Sequence, residues 1–175
     1  MSETDILMWI QGASPWMDAP MELIALISSH AACWVLIAAL LVLSKGSRRT
    51  GASVLLALVL VLLIVDVLIK PLVGRERPFE VCDFPLLIEA PTSFSFPSGH
   101  SAYSFAAATC MMLRDRRLGS AALVLAAVIA YSRLYLFVHW PTDVLAGAAI
   151  GVLLGALAFR FVDRLPDPVG TGPCR

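Results

Sequence analysis

Long apolar stretches dominate the sequence, and four of them approach the roughly 20 apolar residues that a helix needs to cross a membrane. These stretches are residues 21–43, 52–73, 118–137 and 144–161. Of the 175 residues, 59% are hydrophobic and 15% are charged. A soluble fold of this size buries only about 70% of its unfolded surface and would leave too much apolar area in water. We therefore predict an all-α, polytopic bundle of membrane helices.

A fifth apolar run, residues 101–113, is too short to cross a membrane by itself. It can span only if its first turns, around residues 98–100, begin below the membrane surface. Irregular backbone at that depth is tolerated only where it is buried in protein or lines a wet cavity. We therefore predict about five transmembrane helices, the shortest of which begins inside the protein, close to a site.

The N-terminal segment has a different pattern, because its apolar residues recur at helical spacing over residues 6–17 only. This length is too short to cross a membrane and favours a helix lying at the membrane interface. A partly ordered tail is the alternative interpretation.

The positive charges indicate how the bundle is oriented. Cytoplasmic loops of membrane proteins carry an excess of Lys and Arg. Nine of the 13 basic residues fall at one level of the predicted topology, which we assign to the cytoplasm: Lys45, Arg48, Arg49, Arg114, Arg116, Arg117, Arg160, Arg164 and Arg175. The N-terminus is then outside. The formal net charge of the chain is zero, so it lacks the excess of positive charge that is typical of nucleic-acid-binding proteins. We therefore predict no nucleic-acid partner.

The other four basic residues lie at the opposite level, and three of them belong to short patterns. Residues 70–78 read Lys-x6-Arg-Pro, residues 97–100 read Pro-Ser-Gly-His, and residues 132–143 read Ser-Arg-x5-His-x3-Asp. Although the three segments are separated by tens of residues, the predicted topology brings them to the same membrane face.

Each pattern suits the binding or transfer of a phosphoryl group. Arginine offers paired, planar donors to phosphate, and lysine offers a compact positive charge. A helix that begins at residues 98–100 presents free backbone N–H groups to an anion, and Gly99 lets an anion approach closely. His139 and Asp143 lie four residues apart, so the carboxylate can fix the tautomer of the imidazole and leave its other nitrogen free to attack.

The three patterns resemble the motifs of the type 2 phosphatidic acid phosphatase superfamily and match them without a gap or substitution. The resemblance covers about residues 70–143 and extends into the last predicted span, whereas the first 50 residues carry no such motif. Together with the N-terminal pattern and the positions of the basic residues, it divides the chain into three regions. They are an N-terminal interfacial segment, residues 1–20, a membrane phosphatase domain, residues 21–163, and a cytoplasmic tail, residues 164–175.

The resemblance also implies a role for each motif residue. His139 is expected to attack phosphorus and form a phosphohistidine, Asp143 to orient His139, and His100 to protonate the leaving oxygen. The phosphate oxygens are expected to be held by five residues: Lys70, Arg77, Ser98, Gly99 and Arg133. We expect no cofactor and no metal, because three cations can stabilise the charge that a metal ion would otherwise neutralise.

Two charged residues outside the motif positions need separate interpretation. Asp66 lies one helical turn before Lys70, inside a predicted span, and an intramembrane carboxylate normally has a partner. We therefore predict an ion pair with Lys70 or another cation. Arg75 lies between the two basic motif positions of the first pattern, where it could either meet the second phosphate of a diphosphate or remain a solvated loop charge.

Among family members, the chain looks most like bacterial undecaprenyl-diphosphate phosphatases of the bacitracin-resistance type. That resemblance implies recycling of the lipid carrier for peptidoglycan synthesis, in the bacterial cytoplasmic membrane, with the active site facing outward. Phosphatases of phosphatidylglycerophosphate, phosphatidate and lipid A share the motifs and remain alternatives. A lipid transporter or scramblase is the non-enzymatic alternative, although it would have no need for both His100 and His139. The expected partners are an isoprenoid or glycerolipid phosphate and membrane lipids, and the oligomeric state is left open.

Overall fold

A computed structural model describes residues 2–12, 15–82 and 84–166 of the chain, and within them the secondary structure is helical. Residues 167–175, which form most of the predicted cytoplasmic tail and include Arg175, lie outside the described residues. The predicted all-α bundle is confirmed.

Nine α-helices form the described chain: α1 Glu3–Gly12, α2 Asp18–Ile27, α3 Ala32–Leu43, α4 Arg48–Val61, α5 Lys70–Val73, α6 Pro78–Cys82, α7 Gly99–Arg114, α8 Arg116–Tyr135 and α9 Pro141–Arg164. A π-helical segment, Leu62–Ile69, joins α4 to α5 without a break. Short 3-10 turns precede α2 and α3.

Three helical stretches of the described chain are long and apolar enough to cross a membrane, and the bent pair α2 and α3 makes a fourth span if it is counted as one. The expectation of one uninterrupted helix over residues 21–43 is wrong, because the axes of α2 and α3 differ by 51°. At the bend, the Ser28 hydroxyl donates to the Ile24 carbonyl oxygen at 2.7 Å, and Ala31 has a left-handed φ of 57°. Such bonds from serine to the preceding turn compete with the helical ladder and bend helices.

Helix α7 is the short central helix, and it packs against α4, α8 and α9. It has 16 residues, which corresponds to about 24 Å against a hydrocarbon core of about 30 Å. It begins at Gly99, within the segment where the sequence predicted the first turn of the short span. Its N-terminal end is buried in the bundle, since Ser98 and Gly99 are both buried.

Helices α7 and α9 touch along a stripe of glycines in α9. The stripe has three glycines, and a side chain in place of any of them would collide with backbone atoms at the start of α7 or within it. A Cβ added to Gly147, Gly151 or Gly155 would lie 2.4, 2.3 or 2.5 Å from the carbonyl oxygens of Ser98, Ala102 and Ala106, respectively. Small residues four apart allow membrane helices to approach this closely. We call the three glycines the α9 glycine stripe.

One end of the bundle collects the cations that the sequence assigns to a single level. Arg49, at the start of α4, donates to the backbone carbonyl oxygens of Asp163 and Leu165, at the end of α9. Arg114, at the end of α7, forms an ion pair with Asp163 at 2.8 Å. The α3–α4 turn, the α7–α8 turn and the end of α9 therefore lie together, as the topology requires.

The opposite end carries residues 74–82 and 84–98, the α8–α9 connection and α1. The N-terminal segment forms a helix over Glu3–Gly12, somewhat earlier than the predicted 6–17. Helix α1 packs on the ends of α8 and α9, where its fully buried Leu7 contacts a cluster that includes Phe137 and Trp140.

Candidate active site

The end of the bundle that carries α1 encloses a cavity of about 1170 Å³. Residues from all three sequence motifs line it: Lys70, Arg77, Gly99, His100, Arg133 and His139. The structure thus brings together the three segments that the topology predicted to share a face. Another wall of the same cavity is formed by α2 and the start of α3 and includes Leu23, Leu26 and Trp34.

His139 and Asp143 lie side by side where α8 connects to α9. Pro141 opens α9 and Asp143 lies in its first turn, so the carboxylate also caps the helix by accepting from the Trp140 backbone N–H at 3.0 Å. The distance from Asp143 Oδ2 to His139 Nδ1 is 3.6 Å, and the same oxygen accepts from the Ser95 hydroxyl. Since Nδ1 faces the carboxylate, Nε2 is the nitrogen left for chemistry.

Burial keeps the imidazole of His139 neutral. Burial lowers the pKa of His139 from 6.5 to about 4, the bond to Asp143 opposes this change, and the positive charge of Arg77 adds to it. At neutral pH the ring is therefore uncharged and keeps a lone pair on one nitrogen. A nucleophile or general base requires that protonation state.

Arg77 links two loops through hydrogen bonds from its side chain. Its side chain is buried, with 3% of the residue exposed. Its Nε donates to the Ser93 carbonyl oxygen and its Nη1 donates to the Val138 carbonyl oxygen, both at 2.7 Å. The same Nη1 lies 3.4 Å from His139 Nε2. Arg77 therefore fixes the loop around Ser93 to the loop that carries His139, and it places a positive charge beside the imidazole.

Lys70 is held by Asp66, as the sequence predicted. The ammonium nitrogen lies 2.7 Å from Asp66 Oδ1, and the Tyr103 hydroxyl donates to Oδ2 at 2.6 Å. A Cβ at Gly99 would lie 3.2 Å from Asp66 Oδ1 and 3.3 Å from Lys70 Nζ, which is tighter than ordinary contact. Glycine at this position therefore allows the first turn of α7 to lie directly against the ion pair.

Arg133, in the last turn of α8, supplies the third cation of the cavity. Its guanidinium donates from Nε and Nη2 to the Ser132 hydroxyl at 3.1 and 2.9 Å, and the residue is buried. Among the described residues that line the cavity, the basic ones besides histidine are Lys70, Arg77 and Arg133. Three positive charges thus surround the space in front of His139, which suits a phosphoryl group.

Ser98 lies at the start of α7, where the sequence predicted a helix to begin. The Ser98 hydroxyl caps α7 by accepting from the Ser101 N–H at 3.5 Å and the Ser101 hydroxyl at 3.1 Å. Its backbone N–H donates to the Asp143 carbonyl oxygen at 3.0 Å, which ties α7 to α9. Phosphate binding by Ser98 stays a prediction, since the residue is fully buried behind the cavity lining.

Arg75 is not the solvated loop charge that was one of the two expectations, because it is paired within the protein, and its contact with a second phosphate stays a prediction. Its Nη1 donates to Asp143 Oδ1 at 2.6 Å and to the Thr142 hydroxyl at 2.7 Å, and its Nη2 donates to Glu3 Oε2 at 2.6 Å. The guanidinium also lies 5.3 Å from the centre of the Trp140 ring. It therefore binds the back of the Asp143 carboxylate and lies outside the cavity lining.

Comparison with known proteins gives one family. The profile of the PAP2 superfamily matches residues 50–167, which include all three motifs. The chain is 32% identical to an undecaprenyl-diphosphatase of Sulfolobus acidocaldarius over 76% of this chain and 65% of that protein. It is 33% identical to the decaprenylphosphoryl-5-phosphoribose phosphatase of Mycobacterium tuberculosis over 97% of this chain and 92% of that protein.

The fold also matches a solved structure. The crystal structure of a transmembrane PAP2-type phosphatidylglycerolphosphate phosphatase from Bacillus subtilis superimposes with a TM-score of 0.70 at 27% identity. The match covers 94% of this chain and 88% of that chain. The shared architecture thus extends beyond residues 50–167, which the family profile matches.

Proposed function

Because the chain belongs to the PAP2 superfamily of membrane lipid phosphatases, we propose that it hydrolyses undecaprenyl diphosphate to undecaprenyl phosphate through a phosphohistidine intermediate. One observation carries this proposal: the neutral imidazole of His139 lies beside the Asp143 carboxylate and faces a cavity that Lys70, Arg77 and Arg133 make positive. A nucleophile backed by a carboxylate and aimed into a cationic cavity suits attack on phosphorus.

In the first step, His139 Nε2 attacks the terminal phosphorus, and a nitrogen–phosphorus bond forms as the bond to the leaving oxygen breaks. His100 gives its proton to that oxygen, which departs with the lipid phosphate. The three cations hold the phosphoryl oxygens in place, and Asp143 stabilises the positive charge that develops on the imidazole. Positioning and charge stabilisation of this kind account for most of the catalysis in phosphoryl transfer.

In the second step, water attacks the phosphohistidine. His100 accepts a proton from the water, the nitrogen–phosphorus bond breaks, and inorganic phosphate is released. His139 returns to its neutral form and His100 regains its proton, so the cycle is balanced with water as the only other reactant and without a redox step.

The shape of the cavity supports a lipid substrate. Its cationic end is continuous with the wall formed by Leu23, Leu26 and Trp34 on α2 and α3. A lipid phosphate has the same division between an anionic head and an apolar chain. We place the site at the outer face of the cytoplasmic membrane, because it lies at the end of the bundle opposite Arg49 and Arg114.

A polyprenyl-linked sugar phosphate is the second candidate substrate, and the position of Arg75 favours it. The cation that could have met a second phosphate instead binds Asp143 and Glu3. Beyond the three cations, the residues that line the cavity include several that carry a hydroxyl or a carboxylate: Ser29, Thr92, Ser93, Glu22 and Glu89. Such groups suit the hydroxyls of a sugar better than a second phosphate. The relative that matches nearly the whole chain has a substrate of this class in its name.

A substrate panel tests the proposed function. We expect release of inorganic phosphate in detergent micelles to be fastest from undecaprenyl diphosphate, and to be unchanged by a chelator, because Lys70, Arg77 and Arg133 supply the positive charge. The panel also contains decaprenylphosphoryl-5-phosphoribose, phosphatidate and phosphatidylglycerophosphate.

The other outcomes of this panel each reject a part of the proposal. Faster release from the phosphoribose lipid selects the second candidate, and faster release from either glycerolipid rejects the polyprenyl class. Activity that is lost in chelator and restored by magnesium rejects turnover without a metal. Lipid movement across vesicles without phosphate release rejects the enzyme in favour of a transporter.

The low pKa of His139 predicts an unusual pH dependence. The ring is neutral above about pH 4, so as the pH is lowered we expect protonation of His139 to cause no loss of kcat/KM near the ordinary histidine value of 6.5, and a fall of about tenfold per unit below about pH 4. Protonation below that pH removes the attacking lone pair. Enzyme held at pH 4 and returned to pH 7 must recover full activity, which separates titration from unfolding.

Titration of the substrate is separated from titration of the enzyme by a second measurement. Nitrogen NMR of histidine-labelled protein, with His139→Gln to assign the signal, follows the imidazole directly in the absence of substrate. A titration midpoint near 6.5 for this signal would show that burial does not hold the ring neutral.

A further inference from the structure

Asp143 has two carboxylate oxygens with separate tasks. Oδ2 faces the catalytic side, where it lies 3.6 Å from His139 Nδ1 and accepts from the Trp140 N–H. Oδ1 faces away from the cavity and accepts from Arg75 Nη1 at 2.6 Å. The carboxylate is fully buried, so its orientation is determined by these protein donors.

Glu3 continues the chain of contacts behind Arg75. Its Oε2 forms an ion pair with Arg75 Nη2 at 2.6 Å. Its Oε1 accepts from both the backbone N–H and the hydroxyl of Thr142, at 3.0 and 2.8 Å. One carboxylate from α1 thus holds both the arginine that binds Asp143 and the residue that precedes Asp143. We call Glu3, Arg75 and Thr142 the α1 clamp.

The clamp is a built contact and not a chance surface pair. Helix α1 is anchored by Leu7, which is buried in the cluster with Phe137 and Trp140. Burial alone would raise the pKa of Glu3, but the bonds from Thr142 and Arg75 outweigh it and lower the pKa, so the carboxylate is charged at neutral pH. Arg75 therefore has an anionic partner in Glu3 in addition to the Asp143 carboxylate.

We propose that Glu3 and Arg75 are positioning residues for Asp143, and that α1 is therefore a functional part of the active site. This inference rests on the proposed function. Arg75 holds the carboxylate in the orientation that faces His139, and Glu3 shares the positive charge of Arg75, which leaves more of the negative charge of Asp143 for the imidazole. That charge stabilises the imidazolium that exists while His139 carries the phosphoryl group.

The clamp should act on the chemical step and not on substrate binding. Neither Glu3 nor Arg75 lines the cavity, so a variant should bind lipid phosphate as the wild type does. We expect Glu3→Gln to lower kcat about tenfold and to leave KM within about twofold. Arg75→Gln should lower kcat further, about 100-fold, because it removes the direct partner of Asp143. The double variant should match Arg75→Gln alone, since Glu3 acts mainly through Arg75.

Asp5 provides a matched control within the same helical turn. Its carboxylate is on α1, as that of Glu3 is, but among the described residues its contact is local: Oδ2 accepts from the Ser2 backbone N–H at 2.7 Å, and the Asp5 backbone N–H donates to the Ser2 hydroxyl. We therefore expect Asp5→Asn to keep wild-type kcat and KM. Thermal unfolding of each purified variant in detergent separates a loss of positioning from a loss of fold.

The outcomes for the inference and for the proposed function are distinguishable. If wild-type protein releases no phosphate from any lipid of the panel, the proposed function fails. If the wild type is active and Glu3→Gln has unchanged kcat, only the clamp inference is overturned. It is also overturned if kcat falls only in proportion to the folded fraction, or if Asp5→Asn loses as much activity as Glu3→Gln.

Discussion

Replacing His139 by alanine is expected to abolish phosphate release, lowering kcat by about 10⁴-fold or more, as removal of a catalytic nucleophile does. No other imidazole is held beside a carboxylate at this cavity among the described residues, so no group can take over the attack. The measurement is phosphate release from the preferred lipid of the panel. Brief incubation with substrate labelled in the terminal phosphate should also label the wild-type protein and leave the variant unlabelled.

A binding control keeps this result interpretable. The alanine variant retains Lys70, Arg77 and Arg133, and we expect inorganic phosphate to raise its thermal unfolding temperature as it does for the wild type. If the variant folds, binds phosphate and still turns over within 100-fold of the wild-type rate, water attacks phosphorus directly and the phosphohistidine mechanism is wrong.

The second large effect concerns the α9 glycine stripe. We expect Gly151→Ala to destabilise the bundle by about 3 kcal/mol or more, toward the upper end of what overpacking costs. The added methyl carbon would lie 2.3 Å from the Ala102 carbonyl oxygen, and that atom belongs to the backbone and cannot rotate away. The substitution should therefore push α7 and α9 apart, although alanine normally favours a helix over glycine by about 1 kcal/mol.

Gly46 provides the matched control for this substitution. It lies in the α3–α4 turn, and nothing is found within 4 Å of a Cβ placed there. Thermal unfolding in detergent should show a clear drop for Gly151→Ala and little change for Gly46→Ala. An unchanged unfolding temperature for Gly151→Ala would mean that the two helices do not pack through this stripe.

The sequence was sufficient for the arrangement of the bundle and for the convergence of the motifs. Apolar length predicted the helices, because membrane-spanning backbone must satisfy its own hydrogen bonds. The distribution of Lys and Arg predicted which turns share an end, and the contacts of Arg49 and Arg114 with the end of α9 agree. An ion pair of Asp66 with Lys70 or another cation was predicted from helical spacing and from the need of an intramembrane carboxylate for a partner, and the structure shows Lys70 as that partner.

Contacts between side chains that are far apart in the sequence could not be predicted from apolar length, charge distribution or helical spacing. Glu3 and Thr142 are 139 residues apart, and no periodicity relates them. The bend between α2 and α3 involves the hydrogen bond from the Ser28 hydroxyl to the Ile24 carbonyl oxygen, and a hydropathy pattern does not predict such a bond. The α9 glycine stripe is visible as three glycines spaced by four residues, but its importance appears only when the α7 backbone is seen against it.

The shortness of α7 has a consequence for selectivity. With its Arg114 end at one surface of the bilayer, its first turn lies about 6 Å short of the other, and His100 lies in that turn. A phosphate must therefore give up part of its hydration shell to reach the site, and that cost is the same for every phosphomonoester. A long-chain lipid brings its phosphate to the protein from within the bilayer, whereas a water-soluble phosphate has no tail to offset the cost. We therefore expect soluble phosphate esters to bind this site more weakly than lipid phosphates do, because only the lipids offset the cost of dehydration.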